Sequence, residues 1–146
     1  MLRLTTIVCM CAVALGVPSA LAGGGKKYEG DFSGSGSMSF KVEKRQDGKK
    51  VVNFKFRDLL VTCGVTPKVT AGHLTFAVSV KNNKFSTKAV VGNPSDPKSS
   101  LKLKGKLKNR KADGTLRVYG SEVNVGGDPP ERDECDSGTV NWDASR

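Results

Sequence analysis

A histidine, an aspartate and a serine follow one another as His73, Asp96 and Ser137. In that order an imidazole can take the proton of a hydroxyl nucleophile while a carboxylate orients the ring. A second pattern is electrostatic. Lys102, Lys104, Lys106 and Lys108 recur at every second residue, with Arg110 and Lys111 just beyond them. On an extended strand alternate residues point to one side, so these lysines form a linear cationic stripe at roughly 6.6 Å spacing. A third pattern is acidic: Asp128, Glu131, Asp133, Glu134 and Asp136 cluster the oxygen ligands that suit a calcium ion.

The neighbouring residues weaken the first and third patterns. Val69-Thr70-Ala71-Gly72-His73 resembles the histidine segment of chymotrypsin-like bacterial serine proteases, and Asp136-Ser137-Gly138 resembles their nucleophile segment. That resemblance implies a glycine before the aspartate and another after the Ser-Gly pair. Cys135 and Thr139 stand there instead, against the turn that would expose the nucleophile and build an oxyanion hole. The stretch from His73 to Ser137 is also too short for the intervening parts of two barrels. Gly72-His73 then reads as the end of a loop, and Ser137-Gly138 as a kink beside a disulfide. Asp136-Ser137-Gly138 also resembles the aspartic-protease triplet, but that chemistry needs two aspartates sharing a proton and the chain has one copy. Nothing singles out a carboxylate pair for glycoside hydrolysis, and no Walker loop or dinucleotide fingerprint is present. One histidine and no Cys-x-x-Cys pair argue against zinc. The acidic run lacks EF-hand spacing and contains Pro129-Pro130, so it reads as a solvated loop. The expectation is no catalytic residue, no cofactor and no metal site, with a small extracellular hydrolase as the alternative.

The charge pattern is stronger. The 146 residues hold 24 Lys and Arg against 14 Asp and Glu, a formal charge of +10. It is unevenly spread: residues 81–111 carry nine lysines and Arg110 against Asp96 alone, whereas residues 112–146 carry three arginines against eight carboxylates. Such a separation gives the molecule a strong field. The stripe is expected to dock an anionic polysaccharide, wall polymer or lipid surface. The competing reading is a solvated sheet face whose lysines prevent edge-to-edge aggregation. Sequence-specific nucleic-acid recognition is not expected, because lysines offer point charges and no aromatic is interleaved with them for base stacking.

The elements that must carry these residues begin after a targeting segment. Residues 1–22 read as a cleaved signal peptide: Arg3, an apolar run from Leu4 to Val17, Pro18, and small residues in Ala20-Leu21-Ala22 before Gly23. The run is short for a membrane span of ~20 residues, and no second hydrophobic stretch follows, so a secreted chain without a transmembrane anchor is expected. Cys9 and Cys11 leave with it. Cys63 and Cys135 remain as a single disulfide suited to an oxidising compartment.

Residues 23–27 read as a flexible Gly-rich lead-in and residues 28–146 as one domain. Period-two alternation dominates that domain. Apolar faces run through Tyr28–Phe32, Met38–Val42, Val52–Phe56, Leu59–Cys63, Leu74–Val80, Phe85–Val91, Leu101–Leu107, Leu116–Val118 and Val140–Ala144, the last with Trp142 inward. The parity slips between Phe56 and Leu59, which predicts a bulge or corner near Arg57-Asp58. Turns are expected at Asp47-Gly48, at Asn82-Asn83 and at Ala112-Asp113-Gly114, with a loop from Gly92 to Ser99 and another from Gly126 to Arg132. No window repeats at helical spacing. The fold expected is all-β: a single-domain antiparallel β-sandwich or jelly roll of about eight strands, with a β-barrel as the alternative.

The ending Cys135-Asp136-Ser137-Gly138-Thr139-Val140-Asn141-Trp142-Asp143-Ala144, after Gly114-Thr115-Leu116-Arg117, resembles a group of small exported bacterial proteins, many of them actinobacterial, that end in a C-D-S-G-x-V-x-W-x-A pattern. The resemblance implies an all-β fold, export and a late cysteine paired with a mid-chain one. It implies no activity.

Overall fold

The computed structural model describes residues 24–90, 99–120 and 134–146. The expected signal peptide, Asp96 with most of its loop, the Gly126–Arg132 loop, and Asp128, Glu131 and Asp133 of the acidic run lie outside the described residues. Ten strands follow in order: β1 (Lys26–Phe32), β2 (Ser37–Arg45), β3 (Gly48–Cys63), β4 (Thr66–His73), β5 (Val78–Ser79), β6 (Lys84–Val90), β7 (Ser100–Lys108), β8 (Lys111–Gly120), β9 (Cys135–Asp136) and β10 (Val140–Ser145). Two of them, β5 and β9, are two residues long.

The chain is all-β, and its strands form one continuous antiparallel sheet. β1 pairs with β2 and β10, β2 with β3, β3 with β9, and β8 with both β9 and β10. Those pairings close a six-stranded barrel. β7 and then β6 continue from the other edge of β8, while β4 and β5 pair with β3 outside the ring. The barrel alternative therefore describes the pairing, rather than two separate facing sheets. Closure depends on β9: Cys63 and Cys135 stand directly opposite each other, Cα atoms 4.0 Å apart, and the disulfide joins them where β9 bridges β3 and β8.

The core is aromatic. Phe40 lies 5.0 to 6.2 Å, centroid to centroid, from Tyr28, Phe54, Phe85 and Trp142. Room for these rings is made by two facing glycines. Phe85, Gly105, Gly114 and Trp142 lie in one cross-strand row, and the Phe85 and Trp142 rings stack at 6.1 Å over the glycine pair. A Cβ on Gly105 would press into the Phe85 ring, and one on Gly114 would meet the Lys104 backbone carbonyl as well as the Trp142 ring, the latter at 2.5 Å. The alternation read from the sequence thus places Trp142, Leu101, Leu103 and Leu107 inside, as expected.

Several local expectations are corrected. The first hairpin turns on Gln46-Asp47, because Arg45 pairs with Gly48; only Gly48 has positive φ (114°). The Asn82-Asn83 turn forms as expected, with φ of 50° and 59°. Ala112-Asp113-Gly114 is strand, not turn; β7 reverses at Asn109-Arg110, where Asn109 takes φ 42°. Lys26 and Lys27, assigned to the lead-in, pair with Val42 and Lys41. The predicted bulge is present: the β3–β4 register shifts between Phe56 and Leu59, and Asp58 has φ 54°. A second irregularity between Ser39 and Lys41, with Asn53 at φ 52°, turns Val51 fully inward as well as Phe54. Gly72-His73, read as the end of a loop, is the last part of β4. The face expected over Leu74–Val80 is interrupted instead: Leu74 and Val78 are buried, but the chain bends between them and Phe76 is turned out.

Candidate functional site: a basic sheet face

β7 alternates because its inner residues Leu101, Leu103 and Leu107 belong to the core, with Gly105 beneath the Phe85 ring. Lys102, Lys104, Lys106 and Lys108 are consequently all exposed on the opposite side. The neighbouring strands extend that face. On β6, Lys88 stands opposite Lys102, Ser86 opposite Lys104, and Lys84 opposite Lys106. On β8, Arg117 opposes Lys102, Thr115 opposes Lys104, Asp113 opposes Lys106, and Lys111 opposes Lys108. The expected site residues Lys102, Lys104, Lys106, Lys108 and Lys111 are therefore brought together. Arg110 sits at the end of the face, in the reversing turn, where its carbonyl accepts from the Arg146 amide at 3.1 Å.

This arrangement is electrostatically uncomfortable. Like charges directly opposite on adjacent strands are destabilising, and here Lys84 faces Lys106, Lys88 faces Lys102, and Lys108 faces Lys111. Among the described residues, Lys108 pairs with Asp113 at 2.6 Å, and Arg117 forks onto Asp136. Among the described residues no carboxylate comes within ion-pair distance of Lys84, Lys88, Lys102, Lys104 or Lys106. Lys102 and Arg117 both lie over the Tyr119 ring, 5.5 and 5.2 Å from its centroid, which fixes two of the charges at that end. At the other end a groove of about 730 Å³ opens beside the stripe. Phe76 and Ser79 line it together with Lys84, Ser86, Lys104 and Lys106.

Lys84, Lys88, Arg117, Tyr119 and Phe76 were not assigned to the site from sequence, and Phe76 was expected on an inward face. The parity of Lys84 and Lys88 against Phe85 and Ala89 was a usable signal for their facing outward. Their lateral neighbours were not readable, because register between strands is a tertiary property.

The structure does not unite the nucleophile pattern. His73 is exposed at the end of β4, opposite Lys55 of β3, whereas β9 meets β3 at Thr62 and Cys63. Seven residues of strand separate those points, on the order of 20 Å. Ser137 has a structural role. Its hydroxyl accepts from the Val118 amide at 2.9 Å and donates to the Gly138 carbonyl at 2.8 Å, holding the break between β9 and β10. Asp136 anchors the same break. One carboxylate oxygen accepts from Arg117 Nε at 3.0 Å and from the Gly138 amide at 2.8 Å. The guanidinium, followed by that amide, holds the Asp136 carboxyl below the usual carboxylate range, against the opposing effect of partial burial. Among the described residues no three His, Cys, Asp or Glu side chains come together where a metal ion could be held.

Comparison with protein-family models, with curated proteins and with solved structures finds no match for this chain.

Proposed function

We propose that this protein is an exported, non-catalytic binding protein that docks anionic polymers or surfaces on the outer face of β6, β7 and β8. The observation that carries this reading is the register that sets lysine against lysine, Lys84 with Lys106 and Lys88 with Lys102. A sheet face on which lysine stands opposite lysine, with no carboxylate among the described residues within ion-pair distance of Lys84, Lys88, Lys102, Lys104 or Lys106, gains from a polyanion laid along it. Repulsion already present in the free protein is relieved, and condensed counterions are released. The disulfide at the barrel closure fits an oxidising compartment.

The test is retention on heparin and on a neutral polysaccharide column at two salt concentrations. The wild type should bind heparin with a steep loss on adding salt, a slope near −1 per neutralised charge being the scale set by DNA. Replacing Lys102, Lys104, Lys106 and Lys108 together by Gln should flatten that dependence and leave the fold intact, since the side chains removed from charge all face water. Equal retention of the two proteins would reduce the stripe to a solvated surface.

A further inference from the structure

Phe76 is 45% exposed although Leu74 and Val78 on either side are buried. The bend between β4 and β5 turns this one ring out of the core and into the groove that borders the lysine stripe. Its companions there include Lys84, Lys104 and Lys106, Ser86, and Ser79, whose hydroxyl accepts from Lys50 at 2.8 Å; the one carboxylate residue of the lining, Asp113, is ion-paired with Lys108. An apolar ring face, hydroxyl groups and separated positive charges in one groove match the chemistry of a sugar chain that carries acidic groups. The flat C–H face of a sugar ring covers the aromatic, its hydroxyls exchange hydrogen bonds with serines, and its acidic groups meet the lysines.

We propose that this groove makes the basic face selective for an acidic polysaccharide, with Phe76 stacking on one sugar ring and Lys84, Lys104 and Lys106 pairing with its carboxylate or sulfate groups. The inference rests on the polyanion reading and narrows it to a ligand class. Other polyanions fit the groove less well. A polyphosphate has no ring face to set on Phe76. Single-stranded nucleic acid stacks successive bases on successive aromatics, but the second aromatic of this face, Tyr119, already has Lys102 and Arg117 over its ring.

The experiment compares wild type, Phe76→Ala, Phe76→Tyr and the four-Gln variant for affinity to heparin, oligogalacturonate, polyphosphate, poly(dT) and phosphatidylglycerol vesicles. Tryptophan fluorescence confirms that each variant is folded. Phe76→Ala should weaken both acidic glycans about tenfold, the scale of one lost stacking contact, with their salt slopes and the polyphosphate affinity unchanged. Phe76→Tyr should bind the glycans like wild type. If Phe76→Ala binds the glycans as well as wild type does, or loses polyphosphate by the same factor, the inference is overturned. A larger loss for poly(dT) or for vesicles than for the glycans overturns it in favour of those ligands. Glycan binding unaffected by the four-Gln change would instead defeat the underlying charge reading. Loss in the four-Gln variant with none in Phe76→Ala defeats the glycan assignment alone.

Discussion

Gly105→Ala adds one methyl group beside the aromatic core, on β7, and should be costly for a reason confined to one ring. A Cβ at Gly105 would lie 2.3 Å from Phe85 Cζ and 2.7 and 2.8 Å from the two Cε atoms. Carbon atoms settle at ~3.5–4.0 Å, so the ring must retreat by about 1 Å or more. Its surroundings resist: Phe85 is 3% exposed, stacks on Trp142 at 6.1 Å and tilts against Phe40 at 5.8 Å. Overpacking of this kind costs about 1–3 kcal/mol. The backbone itself does not object, because Gly105 lies outside the left-handed region, and restricting the unfolded chain returns about 0.4–1 kcal/mol. A net loss of about 1–2 kcal/mol follows, which lowers Tm by roughly 3–10 °C for a domain of this size. The assay is denaturant unfolding followed by fluorescence of Trp142, the single tryptophan, which forms part of the cluster. The decisive measurement is a double-mutant cycle with Phe85→Leu. Once the ring is gone, Gly105→Ala should cost nothing or stabilise, giving a coupling of at least ~1 kcal/mol. An equal cost in both backgrounds would refute the claim that the glycine exists to seat the Phe85 ring.

Breaking the barrel closure with Cys63→Ser should lower stability by roughly 4 kcal/mol, the chain-entropy scale for a disulfide whose cysteines are 72 residues apart; non-reduced peptide mapping of the wild type should find one Cys63–Cys135 cross-link and no free thiol after processing. The Asp136 carboxyl titrates below its unfolded value, so its contribution is present above about pH 4 and disappears as pH falls through the depressed folded pKa. Arg117→Gln removes the main cause of that depression. The difference in Tm between wild type and Arg117→Gln should therefore be constant from pH 5 to 7 and shrink toward pH 2; a difference independent of pH would show that the pair is not the source.

The residues that can be read one strand at a time were legible. Leu101, Leu103 and Leu107 against Lys102, Lys104 and Lys106 is a local pattern, enforced by the two-residue repeat of an extended chain. The same rule located Trp142 in the core and the slip at Asp58. Turns were less legible where two neighbouring dipeptides could serve. Asp47-Gly48 and Ala112-Asp113-Gly114 have turn composition, yet pairing across the whole hairpin set the reversal one residue earlier in the first case and three residues earlier in the second. Thr66 to His73 lacks a continuous apolar face, since β4 buries only Thr70 within its span, so its strand character depends on β3 beside it.

By itself the sequence determined the all-β class, the outward direction of the β7 lysines and the inward direction of the residues between them. All of these follow from alternation and composition within a few residues. The tertiary structure alone decided that the sheet closes into a barrel through β9, and that the Gly105–Gly114 row makes space for Phe85 and Trp142. It also placed lysines of β6 opposite lysines of β7 and the Phe76 ring at the end of that face. Each of these depends on lateral register between segments distant in the chain. Register is set by the summed fit of every side chain on both faces of a sheet, which no local stretch of sequence contains.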